Sequence, residues 1–415
     1  MYTHTNFGTP FSTNIKMNKR QFIRTLGGGV VFSALGTPMA GCMPTAAFPA
    51  LAVEAWSSAD AQTDPRRRAV AYAITPPNPH NRQPWMVDLR EADTITLYHD
   101  VARMLPETDP FGRQILIGHG CFIELLCIAL AEQGLAADVS LWPQGQYPAQ
   151  IKDWDRRPIA RISLRKGVQP DPLFAHILNR HTPKAVFDTT RPVADSLLQS
   201  LLKTTASTAN AGISIGGITI GGTLATDKVS ALGDLCRQAA FVELSTERTM
   251  MESMRLMRVG PSEILQHRDG ISLNKPLIRA LEAVGQFDRS KAPAPGSAAF
   301  KGSTDLYEGY TKSAMGFVWV AAGNQRDAQI QAGRQYVRLQ LAATAQGLGM
   351  HPMSQSLQEF PEMRKHYEAV HQLCLGKAAP AGLQDTTLQM LCRIGYTPEP
   401  APATPRRPLV QFFMV

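Results

Sequence analysis

The sequence predicts an α+β chain in which two related halves share one polypeptide, and three observations carry that expectation. The 415 residues exceed one ordinary domain, and 44% hydrophobic with 18% charged residues is the balance of a well-packed globular protein. Stretches rich in β-branched and alternating residues are interspersed with stretches of good helix formers. Finally, residues 120–135 and 333–348 share one layout, with a glycine at the start and Gly-Leu at the end at the same spacing. Each body is rich in helix formers, and Gly134 and Gly347 stand where a left-handed residue would end the helix.

Strands are expected at residues 94–98, 158–164, 213–220 and 316–321. Helices are expected at 114–133, 171–179, 195–203, 226–241, 247–258 and 328–346. Residues 289–303, with Pro293 and Pro295, and the run 398–408 read as extended loops. The expected organisation is a leader at 1–42, a linker at 43–63, a first half at 64–168 and a second half at 169–415. The second half carries a lid-like insertion around 245–303.

The leader reading rests on a basic region around Lys19, Arg20 and Arg24, a Gly-rich apolar run at 25–35, and Met39-Ala40-Gly41-Cys42. That order is that of a bacterial signal peptide, and the apolar run is too short for an ordinary membrane span. It resembles a twin-arginine leader with Lys19 in place of the first arginine, ending in a lipoprotein-like box. The expected location is therefore the periplasm, free or as a lipoprotein anchored at Cys42, with Met17 an alternative start. The remaining cysteines, Cys121, Cys127, Cys236, Cys374 and Cys392, are odd in number and irregular in spacing, so no disulfide framework follows. Beyond residue 42 the chain holds 38 basic and 34 acidic residues, and no basic stripe with interleaved aromatics argues for nucleic acid.

Candidate chemistry begins at residues 75–85, where four prolines and two asparagines rule out a continuing helix and leave a rigid loop that displays amides and backbone polar groups. The same residues would also serve as a proline-rich surface loop anchored by Trp85. Arg180-His181-Thr182-Pro183-Lys184 places two cations and a hydroxyl within five residues, suited to grip a phosphate, or else a solvated helix end. His119, Cys121 and Cys127 have metal-ligand chemistry but lie in an apolar helical stretch, so no metal is expected. Gly212-Ile213-Ser214-Ile215-Gly216 matches a serine-hydrolase elbow, yet the text after it reads as strand where an elbow needs a helix. The stripe Met250, Met251, Met254, Met257 reads as packing.

Asn81-x-Gln83-Pro84-Trp85 strongly resembles the loop signature of the nitroreductase fold. Gly112 to Ile117, together with residues 252–273, resembles single-chain Acg-type members, although Gly118-His119 replaces their usual Ser-Cys pair. The resemblance spans residues 64–415. It implies a nitroreductase-like fold in which two units that pair as a dimer elsewhere are fused as a pseudo-dimer, with monomeric function open to it. It implies flavin mononucleotide (FMN) as cofactor, with Pro77, Asn78, Asn81 and Gln83 at the ring and ribityl chain. Arg180, Thr182 and Lys184 would hold the phosphate, with Arg406 and Arg407 of the closing segment reaching the same group. Pro352, Met353, Ser354 and Gln355 would form the turn that offers donors to flavin N5 and O4. Because the flavin carries the redox chemistry, no dedicated protein acid or nucleophile is assigned.

The implied function is an FMN-dependent oxidoreductase that passes electrons to a flat small-molecule acceptor, a nitroaromatic or a quinone. The donor is left open, since nicotinamide cofactors are not expected outside the inner membrane. The alternative is a flavin-sequestering protein with little turnover, and a lipoprotein module without cofactor stands third. One FMN per chain is expected, because residues 204–212 of the second half lack Gln-Pro-Trp and Arg66-Arg67-Arg68 lacks the phosphate hydroxyl.

Overall fold

The computed structural model describes residues 47–204, 217–380, 382 and 385–414. The leader, Cys42, the Gly212 to Gly216 elbow, the start of the strand expected at 213–220 and nearly all of 204–212 lie outside the described residues.

The first half runs α1 (Pro65–Ala73), β1 (Trp85–Asp88), β2 (Thr94–His99), α2 (Arg113–Ala131), β3 (Leu135–Leu141) and β4 (Pro158–Lys166). The second runs α3 (Asp195–Thr204) and β5 (Thr219–Thr223), then an insertion of α4 (Thr226–Ser245), α5 (Glu247–Arg255), β6 (Met257–Val259), α6 (Gly260–His267), β7 (Ile271–Leu273), α7 (Pro276–Ala283) and α8 (Ala298–Lys312). It resumes with β8 (Gly316–Ala322), α9 (Arg326–Ala345), β9 (Gly349–Pro352), α10 (Arg364–Leu375) and β10 (Thr387–Gly395). Without the insertion and α10, both halves read helix, strand, strand, helix, strand, strand.

Sheet topology repeats as well. Four strands in each half form an antiparallel sheet, in the orders β1-β2-β4-β3 and β5-β8-β10-β9, which are the same path through equivalent strands. The buried helices α2 and α9 cross between the sheets, and their closest approach is reciprocal. A Cβ on Gly120 would lie 2.0 Å from the Ile330 carbonyl oxygen, and one on Gly333 would lie 2.1 Å from that of Ile117. Each glycine therefore meets the residue three before the other, as a pseudo-twofold axis through the crossing requires. The side chains at the helix starts obey the same operation. Arg113 donates to the Leu357 and Gln389 carbonyls of the second half, while Arg326 donates to the Phe111, Pro148 and Ala149 carbonyls of the first. Between them, Glu124 of α2 holds Arg334 and Arg338 of α9 at 2.7 and 2.8 Å in a buried triad.

Local chemistry explains most element boundaries. Asp64 accepts from the Arg66 amide and Pro65 opens α1, a capped start in which the proline lacks only a hydrogen that would have no partner. Gly134 and Gly347 follow α2 and α9 at φ +72° and +67°, the left-handed backbone that glycine tolerates. The helix expected at 171–179 is only a short 3-10 turn, Pro172–His176, capped by Asp171. Strands β1, β3, β6, β7, β9 and β10 were not anticipated, the helix expected at 247–258 ends at Arg255 before β6, and α8 begins inside the expected loop 289–303. The expected linker 43–63 is folded from residue 50 to 61 into three 3-10 turns packed on the body. Helix α2 is long and apolar enough to cross a membrane, but 89% of that stretch is enclosed by protein, so it is a core helix.

Candidate functional site

The loop at 75–85 leaves α1 and enters β1. His80, Asn81 and Gln83 take φ of 47°, 50° and 50°, conformations costly for residues other than glycine that survive only when the surroundings over-determine them. Here they do. Asn78 Oδ1 accepts the Gln83 amide at 2.8 Å, and Asn81 Nδ2 donates to the Pro405 carbonyl at 3.0 Å. Gln83 Nε2 donates to the Arg268 carbonyl at 2.9 Å, while its Oε1 accepts the Arg407 amide at 2.9 Å. Trp85 anchors the exit, fully buried against Phe122 and Phe412.

These bonds draw four segments together: the loop, the insertion, the C-terminal arm and the 180–184 segment. From the insertion, the Gly270 amide donates to Asn81 O, and Asp269 pairs with Arg103 at 2.7 Å and Arg258 at 3.0 Å. Gly270 has φ +73°, and a Cβ there would sit 2.2 Å from the Leu256 carbonyl oxygen, so no other residue fits. From the C-terminal arm, Arg406 spends its donors on the Ile74, Thr75 and Pro76 carbonyls, Asn81 Oδ1 and Thr404 Oγ1. Arg180 donates to the same Thr75 carbonyl at 2.8 Å and to Gln340 Oε1 at 3.0 Å, leaving its buried Nε without a partner.

The cations are unusual for their surroundings. None of Arg180, Lys184, Arg393 and Arg406 pairs with a carboxylate among the described residues. Burial presses the Arg180 guanidinium down to about 10 and that of Arg406 to about 9, the latter also repelled by Arg180. Both remain charged near neutrality. Lys184 is exposed, yet burial lowers its basicity. Lys184 also joins the two ends of the site, since it helps depress both His80, brought to about 4 chiefly by burial, and His351, held well below its ordinary value by burial and then by Arg393. His351 Nδ1 accepts from Arg393 Nε at 2.9 Å. Because arginine can only donate, the neutral ring carries its proton on Nε2.

The turn expected to face the flavin follows β9. Pro352 pairs with Cys392 in the sheet, and Met353 is fully buried with its amide bonded to Leu391 O. Ser354 and Gln355 begin a short 3-10 turn and are half-buried, and Gln355 Nε2 donates to the Tyr307 hydroxyl of α8 at 2.9 Å.

Among the sequence-assigned residues, Asn78, Asn81, Gln83, Arg180, Arg406 and Arg407 therefore form one hydrogen-bonded unit, with Pro77 and Thr182 half-buried beside it. Lys184 acts electrostatically on both His80 and His351. Two assignments change. Gln83 is fully buried and its amide serves Arg268, Asn81 and Arg407, so it braces the loop instead of facing a ligand. Arg407 donates to the Gln83 carbonyl and lies over Phe412, while its buried Nε has no partner. Met353 belongs to the core. His119 and Cys121, considered as ligands, instead bond the Ile115 and Gly333 carbonyls.

Sequence reasoning missed several residues here. The Trp56 ring packs tilted against His181 with centroids 4.5 Å apart, lies 5.7 and 5.2 Å from the Arg180 and Arg406 guanidinium carbons, and its Nε1 donates to Thr404 O. Its position in an expected linker gave no signal. Arg393, bonded to Ala185 O and Tyr310 O, sits mid-strand with no local motif. Arg113 and Arg326 could have been found, since they obey the same 213-residue offset as Gly120 and Gly333.

No family model matches the chain. A Mycobacterium tuberculosis (strain H37Rv) protein provisionally named NAD(P)H nitroreductase acg is 27% identical over 358 residues, covering 85% of this chain and 96% of its own. A second protein of that strain with the same kind of provisional name is 25% identical over 362 residues, covering 83% and 90%. The FMN-dependent nitroreductase NfnB from Mycobacterium smegmatis in complex with NADPH aligns over 56% of this chain and 92% of its own, at 16% identity and TM-score 0.33. A nitroreductase with bound FMN from Bacteroides fragilis aligns over 57% and 95%, at 14% identity and TM-score 0.32.

Proposed function

We propose that this chain is an FMN-dependent oxidoreductase of the nitroreductase type that passes electrons to a flat acceptor, a nitroaromatic or a quinone. The observation that carries the reading is a pair of buried cations, Arg180 and Arg406, without carboxylate partners among the described residues and gathered on a strained, braced loop. Burying a charge without a counter-ion is costly, so Arg180, whose buried Nε has no partner, is arranged for an anion supplied from outside the chain. A flavin phosphate has the required charge, and the unpartnered Arg180 Nε is a donor suited to it. The near-full-length likeness to relatives named as NAD(P)H nitroreductases supports the same reading.

When bound, FMN would supply the two-electron chemistry. The chain's own part is to bind, orient and screen. Arg180 and Lys184 hold negative charge, Arg406 fixes the loop that Arg180 also touches, and Ser354 and Gln355 present polar groups at the far end. His351 stays neutral and donates from Nε2. The segment 268–270 lies across Asn81 and Gln83 and limits water. These contacts also favour the second reading, flavin sequestration behind a closed cover. Stopped-flow mixing with NADH and NADPH separates the two: a rapid loss of flavin absorbance on mixing supports the enzyme, and reduction only by chemical reductants supports sequestration.

The direct test is FMN titration. Purified protein should be yellow and release FMN on denaturation, and Lys184→Gln should weaken binding by about 2 kcal/mol, on the order of thirtyfold, without loss of stability. A colourless protein that takes up no added FMN defeats both readings. Export is a further proposal resting on residues 19–42 alone: fractionation should place a shortened chain in the envelope, and Arg20→Ala should retain the precursor inside.

A further inference from the structure

Trp56 is buried, yet it joins none of the hydrophobic clusters that form the core among the described residues. Its neighbours in the same arm do: Ala55 and Ala59 pack into the main cluster and dock the arm on the body. The indole instead faces polar groups. Its ring centroid lies 5.7 Å from the Arg180 guanidinium carbon and 5.2 Å from that of Arg406, with the His181 ring tilted against it at 4.5 Å.

The two guanidiniums explain why an indole suits this place. Both donate to the Thr75 carbonyl at 2.8 Å, so two like charges converge on one acceptor, and no carboxylate among the described residues pairs with either. An indole face carries the negative lobe of the ring quadrupole and attracts a guanidinium within about 6 Å of its centroid. One ring that reaches both cations offsets part of their repulsion without taking up an N-H group. A carboxylate would bind the pair more strongly, but it would occupy donors and repel an incoming anion. The Arg180 Nε thus stays unpartnered. His181 adds no third charge, since burial and then the two arginines depress it to about 4. The indole is itself held: Nε1 donates to Thr404 O at 2.8 Å, the Arg406 amide donates to Ala52 O at 2.9 Å, and Glu54 pairs with Arg268 of the insertion at 2.6 Å.

We propose that Trp56 is a positioning residue that sets the selectivity of the candidate site for a phosphate-bearing ligand: its ring holds Arg180 and Arg406 side by side, free of any carboxylate, so that Arg180 Nε remains open to a phosphate. The consequence for FMN rests on the function proposed above, while the placing of the ring against the guanidiniums does not.

The experiment has two arms. In protein carrying isotope-labelled arginine, the Nε proton resonances of Arg180 and Arg406, assigned with Arg180→Lys and Arg406→Lys, should lie upfield of the ordinary arginine position through the Trp56 ring current. Trp56→Leu should return both, and Trp56→Phe should keep part of the shift. The second arm titrates FMN and riboflavin, which lacks the phosphate. Trp56→Leu should weaken FMN roughly tenfold and leave riboflavin unchanged, while Trp56→Phe should restore most of the loss. Resonances unmoved by Trp56→Leu, or equal losses for FMN and riboflavin, overturn the proposal. If neither flavin binds, inorganic phosphate followed through the same resonances decides. Weaker phosphate binding in Trp56→Leu than in wild type sinks the flavin reading and upholds the role of Trp56, and resonances that phosphate does not move defeat both.

Discussion

Replacing Gly333 with alanine tests the pseudo-twofold crossing at its tightest point. The new Cβ would lie 2.1 Å from the Ile117 carbonyl oxygen, 2.8 Å from its carbonyl carbon and 2.9 Å from its Cα. All three are backbone atoms of a buried helix, so no side chain can swing away, and α2 and α9 must part by about 1 Å to restore ordinary contact. Overpacking in a core costs about 1 to 3 kcal/mol, and a backbone clash belongs at or above the upper end. Alanine returns about 1 kcal/mol of helix propensity. A net loss of about 2 to 3 kcal/mol is expected in urea or thermal unfolding. Gly302→Ala is the control: it is exposed in α8 with nothing within 4 Å of the built Cβ, so propensity alone should stabilise it by up to about 1 kcal/mol. Gly120→Ala should match Gly333→Ala, and the double variant should cost less than the sum because the helices have already parted. A Gly333→Ala protein as stable as wild type would refute the close crossing.

Acid should destabilise the fold through its buried neutral histidines. His119 and His371 are fully buried and depressed to about 4, chiefly by burial. Their contribution is complete above the ordinary value near 6.5 and is lost as pH falls toward 4, roughly 3 kcal/mol each, as denaturation followed between about pH 7 and 4 would reveal. Glu243 has the opposite sign: with its pKa raised to about 7, stability falls as pH rises from the unfolded value toward 7. Glu243→Gln should therefore be more stable than wild type at about pH 8, by up to roughly 3 kcal/mol, as equilibrium unfolding would show. Asp269→Asn leaves Arg103 and Arg258 without their shared partner; about 2 to 3 kcal/mol of local stability should be lost, visible as faster amide exchange at Gly270 and Asn81.

The sequence by itself determined the parts whose chemistry is local. Gly134 and Gly347 marked helix ends because left-handed backbone has few tenants, and the 213-residue offset between two glycine-bounded helices already held the pseudo-twofold relation. Asn81 to Trp85 was legible as a braced loop because prolines and amides constrain their own neighbourhood. Only the tertiary structure decided what the long-range groups do. Gln83 had the right chemistry for a ligand, yet its amide is taken up by Arg268, Asn81 and the backbone of Arg407, the last a pairing 324 residues apart that no spacing rule reveals. Trp56 and Arg393 carried no motif and reach the site only because the 3-10 turns and β10 fold beside it. Glu243 looked like any helical glutamate until α4 buried it against Gln355. Local propensity is set within a turn of chain, whereas burial and partner choice depend on which distant segments exclude water together, and that sum forms only when the two halves close.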